Sequence, residues 1–511
     1  MATSSTVRQP REVPAQGPRP RQPGSTGARP PADFNADGYS DLAVAKQLSR
    51  SGDGVGVGAI EVLYGSPEGF RPQARQQWSR RDLGESGGGG SFGFELTHGD
   101  FDGDGFSDLV AGDPYDTSAN AGDLHVLYGT AEGLSTKRSQ RWSLDTSGLP
   151  GRPADGDLFG SALAAGDLGH RRYDDLAVGI PGRAGGGAVL VLFGGQEGLA
   201  VDGAKLWGQN SASIPGRAEP DDAFGSAVVM GDFNADGHRE LAIGASYDRV
   251  NGVQGAGSVY VMSGSSSGPT TRGVQQWTPG RGGLRGYPSE TALFGDSLAV
   301  GAFTGGAHLD LAIGSPGWNS LDTGGAGSVH VLYGSDDGLT AEGNQQWTEY
   351  DVGTREPRND QPEDSPLFGE SLVAADFGFG PSDDLVVAVP EALTPGWVSG
   401  AVQIVYGTPA GLTPAHTRQF SQITPGIRGF DDDEARFGSS LSVLATTDDD
   451  YPTLVVGAPN YGGRDEEDHS GIVHLIRGSA MGLTAAQDEV LTSGAQRPEP
   501  KGEQFGRRTT S

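Results

Sequence analysis

The chain contains no cysteine, so neither disulfides nor thiolate-bound zinc can hold it together. No run of about 18 apolar residues occurs, which excludes a membrane-spanning helix. The N-terminus, MATSSTVRQPREV, lacks the apolar core of a secretory signal. Positive charge is scarce: 36 Lys and Arg stand against 66 Asp and Glu, a formal charge of −30 at pH 7. Phosphate backbones need Lys and Arg, so this balance argues against a nucleic-acid partner and suits a cation-binding or very soluble protein. Long stretches of good helix formers are missing, as are the GxSxG, HExxH and phosphate-loop motifs. A glycosidase pair picked from so many acids would be arbitrary. No catalytic residue is assigned, and the chain is read as a non-enzyme.

What the chain does have is glycine, 86 of 511 residues, with 32 prolines, natural for short strands joined by tight turns. It also has a repeat. Residues 92–114 read FGFELTHGDFDGDGFSDLVAGDP: a Phe-Gly start, an acidic loop and an apolar run closing on Gly-Asp-Pro. Phe-Gly recurs at Phe92, Phe159, Phe224, Phe294, Phe368, Phe437 and Phe505. A near-constant spacing marks a repeat architecture and overrides the default expectation of about three independent domains.

Residues 1–32, rich in Pro, Arg, Gln and Gly, have too few large apolar groups to offset ordering entropy and are expected to be a disordered tail. From Asp33 each repeat divides into four strands. Strand A follows Phe-Gly, as in Gly160–Gly166 or Gly225–Gly231. Strand B follows the acidic loop, as in Asp108-Leu-Val-Ala. Strand C runs as in Leu124-His-Val-Leu-Tyr-Gly, and strand D centres on Trp78, Trp142, Trp207, Trp277 and Trp347, with Phe420 and Leu491 in the matching places. The residue before the strand-C glycine always precedes the strand-D landmark by the same interval, Tyr64 to Trp78 and Tyr128 to Trp142 among them, which points to a structural C–D turn. The segment after strand B varies. Seven four-stranded antiparallel units predict an all-β, seven-bladed propeller. The first unit lacks a Phe-Gly strand and the chain ends in one, so residues 505–511 are predicted to complete the blade begun at Asp33.

The acidic loops have the spacing of oxygen ligands. Three are complete: Asp33, Asn35, Asp37 and Asp41; Asp100, Asp102, Asp104 and Asp108; and Asp232, Asn234, Asp236 and Glu240. Acids or amides fall at positions 1, 3, 5 and 9, glycine at 6 permits a sharp turn, and the carbonyls of Tyr39, Phe106 and His238 add a ligand at position 7. Hard oxygens in a flexible loop suit calcium, about three ions in all. Without metal the converging carboxylates would repel one another. The remaining loops are degenerate: Gly169 and Arg171 replace ligands in the third, with the Arg171 guanidinium expected where the ion would lie. The fifth has Ala302, Thr304 and Gly306. The sixth keeps Asp376 and Asp384, and the seventh, Ala445 to Asp450, has lost the register.

Phe-Gly, then DxDxDG or DxNxDG, then Gly-x-Pro (Val178-Gly-Ile-Pro, Ile313-Gly-Ser-Pro, Val456-Gly-Ala-Pro) resembles the FG-GAP repeat over residues 33–511. That family includes the seven-bladed propeller of integrin α subunits and many bacterial surface and secreted proteins. The resemblance implies Ca²⁺ in the three complete loops, adhesion or ligand recognition, and an extracellular or cell-surface location. It does not imply integrin signalling or heterodimer formation, because leg domains are lacking. Some phospholipases carry such repeats, with catalysis in a separate domain.

Strand alternation puts the A–B acidic loops and C–D turns on one face and the B–C and D–A loops on the other. The second face carries the variable loops, the clusters Glu219-Pro-Asp221-Asp222, Glu363-Asp364, Asp431 to Glu434 and Asp465 to Asp468, and two further tryptophans, Trp318 and Trp397. Variable loops on a rigid scaffold are where binding usually lives. A monomer binding a protein or glycan ligand there is expected, with a hydrolase or enzyme-associated site in the central channel as the alternative. His125, His330 and His474 share one strand-C position, too far from the axis to converge on one ion, and are read as structural.

Overall fold

The structure, a computed structural model, describes residues 32–47, 58–71, 74–85, 90–115, 121–169, 172–320, 324–325, 327–352, 367–394, 397–429, 432, 434–445, 451–462, 470–493 and 504–510. Apart from Ala32, which is buried, the tail expected over residues 1–32 lies outside them. Among the described residues there is no helix, and seven four-stranded antiparallel sheets form a seven-bladed propeller. Blade 2 shows the plan: strand A at Leu96–Gly99, B at Asp108–Asp113, C at Asp123–Tyr128 and D at Ser135–Trp142, paired in that order. Blades 3 to 7 repeat it from Leu163, Phe224, Leu298, Leu372 and Ser440.

Blade 1 is made from both ends of the chain. Strands Leu42–Gln47, Gly58–Leu63 and Arg75–Ser79 are joined by Phe505–Thr510, which pairs antiparallel with Leu42–Gln47 through Ala43 to Thr510 and Val44 to Thr509. The predicted closure is therefore present.

Strands B and C are buried along their whole length in blade 2 and again at Asp175–Ile180, Ala188–Phe193 and Glu240–Ala245. Each blade is sandwiched between two others, so both faces of these strands are apolar and the sequence reads as a continuous run rather than an alternation. The buried apolar side chains among the described residues fall into seven clusters, one per seam between neighbouring blades. The seam between blades 7 and 1 includes Leu42, Val44, Val455, Val473 and Phe505.

The two halves of the repeat motif meet across each seam. The Phe-Gly nitrogen of Phe159 donates to Ala121 O at 3.0 Å and that of Phe224 to Gly186 O at 2.8 Å, tying strand A of one blade to strand C of the blade before. The glycine of the Phe-Gly pair is left-handed in every repeat, φ 84° at Gly93 and 90° at Gly506 among them. That conformation breaks the ladder, so regular pairing in blade 3 begins at Leu163 rather than at the predicted Gly160, and in blade 4 the register shifts between Phe224 and Val228. The Gly of Gly-x-Pro faces it. A Cβ on Gly112, Gly179 or Gly457 would collide with the carbonyl of Gly160, Gly225 or Gly506 respectively.

The constant C–D turn has a matching cause. The Tyr64 hydroxyl of blade 1 accepts from Leu134 N of blade 2 at 2.9 Å, and Tyr128 repeats this with Leu199 N at 3.2 Å. The strand-D glutamines bond the same turns: Gln140 Nε2 donates to Leu199 O and Gln275 Nε2 to Leu339 O, both at 3.0 Å. Changing the turn length would break both. The variable B–C segments include two short hairpins, Asn319–Ser320 with Gly324–Gly325 and Leu393–Thr394 with Trp397–Val398, not foreseen from sequence.

Phe505 is fully buried in the closing seam. Phe505→Ala is expected to cost about 3–5 kcal/mol, measured by urea denaturation. Removing residues 504–511 is expected to bare the edge of Leu42–Gln47 and to produce concentration-dependent association on gel filtration.

Candidate metal centres and channel mouth

The three complete acidic loops share one backbone scheme. Position 1 accepts from the amides of positions 5 and 6: Asp37 N to Asp33 Oδ1 at 3.1 Å and Gly38 N to Oδ2 at 2.9 Å, repeated from Asp104 and Gly105 to Asp100 and from Asp236 and Gly237 to Asp232. Position 3 accepts from the same position-5 amide, through Asn35, Asp102 and Asn234. Position 5 accepts from the amide of position 7, which places Tyr39, Phe106 and His238 next in the turn. The glycines at position 6, Gly38, Gly105 and Gly237, are left-handed, and so is position 4 even where it is alanine, φ 52° at Ala36 and 55° at Ala235. Strain at a non-glycine residue persists when the surrounding bonds over-determine it, as they do here.

Position 9 does a different job. Asp41 Oδ2 accepts from Phe34 N at 2.8 Å and Oδ1 from Gly65 N at 2.9 Å, so one buried carboxylate pins the loop to the end of strand C. Asp108 and Glu240 do the same. So do Asp175, Asp310 and Asp384, whose loops have lost other ligand positions. This acid is therefore a staple of the fold whether or not the loop can take a cation. Burial, only partly offset by the two amides, pushes the position-9 carboxyls up, to about 7 for Asp41 and Glu240 and about 8 for Asp108 and Asp384.

In the second loop Asp100, Asp102 and Asp108 bring oxygens within 4.8 Å of one another. Burial is the largest cause raising Asp100 and Asp102, and neighbouring acids add to it. An all-oxygen donor set of this kind, on a turn that glycine keeps open, fits a hard cation such as calcium. Arg138 Nη1 also donates to Asp102 Oδ2 at 2.9 Å. In the first and fourth loops the Asn35 and Asn234 amides donate to Asp37 and Asp236.

The degenerate loops keep only fragments of the scheme. Asp167 and Asp376 each accept from the amide two residues on, and Thr304 Oγ1 donates to Asp310 at 3.4 Å. Arg171 and most of the seventh loop, 446–450, lie outside the described residues.

On the opposite face the strand-A residues surround an axial cavity of about 700 Å³. Residues just after Phe-Gly bring Glu95, Asp296, Glu370 and Arg508 into it, and Tyr115 and Tyr247, 45% and 46% exposed, stand at its rim. Arg508 Nε lies 3.2 Å from Glu95 Oε2, and Arg436 Nη2 lies 3.4 Å from Glu370 Oε2. Burial raises all three carboxyls, Arg508 opposing it in each case. These residues were missed from sequence. Their signal was charge immediately after Phe-Gly, where other repeats carry Ser or Ala.

Other binding-face residues differ from expectation. Trp318 is buried at 7% exposure and packs on Tyr287, so it is not an open aromatic platform. Asp222 is buried and accepts from Glu219 N at 2.6 Å, while Glu219 pairs with Arg249, so this cluster is partly internal bracing. Asp432 is likewise buried, accepting from Gly462 N. The Trp397 side chain, Glu363, Asp364, Asp431, Asp433 and Asp465 to Asp468 lie outside the described residues.

The FG-GAP repeat family matches residues 92–127 and 224–262, the stretches holding the second and fourth acidic loops. Two of the seven repeats thus match the FG-GAP pattern, and with the seven-bladed fold they support an integrin-like FG-GAP propeller. The propeller is similar to integrin alpha-PS5 of Drosophila melanogaster, 34% identical over 152 residues, which is 29% of this chain and 14% of the relative. Integrin alpha-PS2 of the same organism is 30% identical over 235 residues, 44% of this chain and 15% of the relative. Human phosphatidylinositol-glycan-specific phospholipase D is 28% identical over 240 residues, 47% of this chain and 26% of the relative. The FG-GAP propeller thus spans about a quarter or less of these relatives' lengths.

A pH dependence follows from the staples that lie in degenerate loops. Asp310 and Asp384 are raised to about 6 and about 8, against an unfolded value near 3.9. Below pH ~4 both states are protonated and the stabilisation is complete. As pH rises to 8 the folded state alone holds these protons and stability falls. In chelator, the melting temperature is expected to drop between pH 5 and 8. Asp384→Asn is expected to flatten that slope and to cost about 1–3 kcal/mol at pH 5, since one of two amides loses its acceptor.

Proposed function

We propose that this FG-GAP propeller is a calcium-stabilised, non-catalytic binding module of the cell surface or medium. The acidic-loop face is structural, and the face formed by the B–C and D–A loops takes a protein or glycan ligand. The observation that carries this reading is the channel mouth, where three half-buried carboxylates sit beside two exposed tyrosines. Tyrosine offers a flat apolar face with a polar tip. Carboxylates in a partly desolvated cleft favour ligands bearing ammonium, guanidinium or hydroxyl groups. Similarity to integrin α subunits supports adhesion. The protein is read as monomeric.

Calcium is assigned to Asp33, Asn35, Asp37, Tyr39 and Asp41, to Asp100, Asp102, Asp104, Phe106 and Asp108, and to Asp232, Asn234, Asp236, His238 and Glu240, with the carbonyl as donor at position 7. The ion would offset the repulsion of the converging acids and cross-brace each loop. The alternative is an enzyme-associated propeller. It is favoured by similarity to a phospholipase D and by the acids of the channel, and robust turnover on a hydrolase panel, abolished by Asp296→Asn, would establish it.

Ligands held only by the folded state raise the melting temperature. At calcium ten times its dissociation constant each site is expected to contribute about 1.4 kcal/mol. Asp37→Ala, Asp104→Ala and Asp236→Ala should each remove one such increment in calcium and change little in EDTA. A melt indifferent to chelation would overturn the calcium assignment. On glycan and protein arrays in calcium, Glu370→Gln and Tyr247→Ala should lose the signal of the parent protein while melting normally. Signals that persist in both variants would place the ligand elsewhere.

A further inference from the structure

Asp123 and His125 lie on strand C of blade 2, and Glu85 lies in the connection that enters blade 2 from strand D of blade 1. His125 Nε2 stands 3.6 Å from Glu85 Oε1 and 3.7 Å from Asp123 Oδ1. These separations are too long for hydrogen bonds. They match two donors sharing an ion: nitrogen or oxygen ligands about 2.1 Å from a tetrahedral zinc stand about 3.4 Å apart. His125 is 3% exposed and Asp123 0%, and neither His125 Nε2 nor Asp123 Oδ1 makes a hydrogen bond. Two buried polar atoms with no bond and a common focus mark a missing partner.

His330 Nδ1 and Nε2 in blade 5 and His474 Nε2 in blade 7 are also without a hydrogen bond, but among the described residues only the blade-2 histidine has two separate carboxylates within ligating reach. His474, at the same place in blade 7, sits 3.0 Å from Asp488 Oδ2. Tyr260 in blade 4 bonds Asp248 at 3.1 Å. In blade 2 the acids are held back instead. Arg80 Nε and Nη2 take Glu85 Oε2, and Arg80 Nη1 takes Asp113 Oδ2 at 2.8 Å. Arg141 Nε takes Asp123 Oδ2 at 2.7 Å and reaches Glu85 Oε1 at 2.9 Å. The guanidiniums thus orient the carboxylates, as outer-shell partners orient ligands at metal sites. The carboxylates of Glu85, Asp113 and Asp123 outnumber Arg80 and Arg141, leaving one negative charge for an incoming cation. Arg141 is 47% exposed and free to swing off Glu85 Oε1.

We propose that Glu85, Asp123 and His125 bind one divalent transition-metal ion, zinc by donor chemistry, with water as the fourth ligand. Imidazole among the donors separates this site from the all-oxygen acidic loops, which suit calcium. Because Glu85 precedes blade 2 and the other two lie within it, the ion would clip the connection from blade 1 to strand C.

Zinc titration of the full chain by calorimetry, in excess calcium, tests this. One zinc equivalent is expected in the parent protein and should be lost in His125→Gln. Glu85→Ala, at a partly exposed position, should weaken it roughly tenfold or more while leaving circular dichroism unchanged. Asp104→Ala, in an acidic loop, should not alter it. Cobalt substitution should give the intense visible bands of a four-coordinate site in the parent protein and not in Glu85→Ala. Equal zinc binding in the parent, His125→Gln and Glu85→Ala proteins would overturn the proposal, as would loss of zinc on Asp104→Ala.

Discussion

No blade of this wheel is complete without its neighbour. The Phe-Gly amide of one blade bonds the strand-C entry of the preceding blade, and the glycine of Gly-x-Pro leaves room for the next Phe-Gly carbonyl. Because each apolar cluster draws from two blades, burial arises only when blades stack. The two glycines thus permit the close approach of neighbouring blades. Ala45 and Ala388 stand where other repeats have this second glycine, in blades 1 and 6, so the stitch tolerates a methyl group at two seams.

The acidic loops combine two functions that their sequence does not separate. Position 9 is a fold element: its carboxylate closes the same two amide bonds in loops with full and with degenerate ligand sets. Positions 1, 3 and 5 organise the turn through its own amides and leave oxygens for a cation. Position 9 therefore persists as Asp175, Asp310 and Asp384 in three of the four degenerate loops, with Thr453 there in the seventh, because losing it would strand two buried amides, whereas losing position 3 or 5 removes only a ligand and one local bond.

The fold was legible because its signals are local and repeated. Phe-Gly, the acidic loop and the constant C–D interval each recur, and the closing strand betrayed itself as a seventh Phe-Gly pair matching a first unit that has none of its own. The channel residues were less legible. Glu95, Asp296, Glu370 and Arg508 are far apart in sequence and become neighbours only through ring closure. Trp318 illustrates the converse: its irregular position suggested a ligand platform, but packing on Tyr287 accounts for it. His125 was read as structural together with His330 and His474; its acidic companions come from the preceding connection and from two residues upstream, a grouping that spacing alone does not reveal.

Blade 1 has a mechanical consequence. The strand Phe505–Thr510 runs antiparallel to Leu42–Gln47, and its last residues pair with Ala43 and Val44, the first of that strand. Residues 32 and 510 therefore sit at the same end of the sheet, on the acidic-loop side. Tension applied through these two points would peel the ladder open one bond at a time, like a zipper, instead of shearing all its bonds together. Anything tethered at either point would leave the channel mouth facing away from the anchorage.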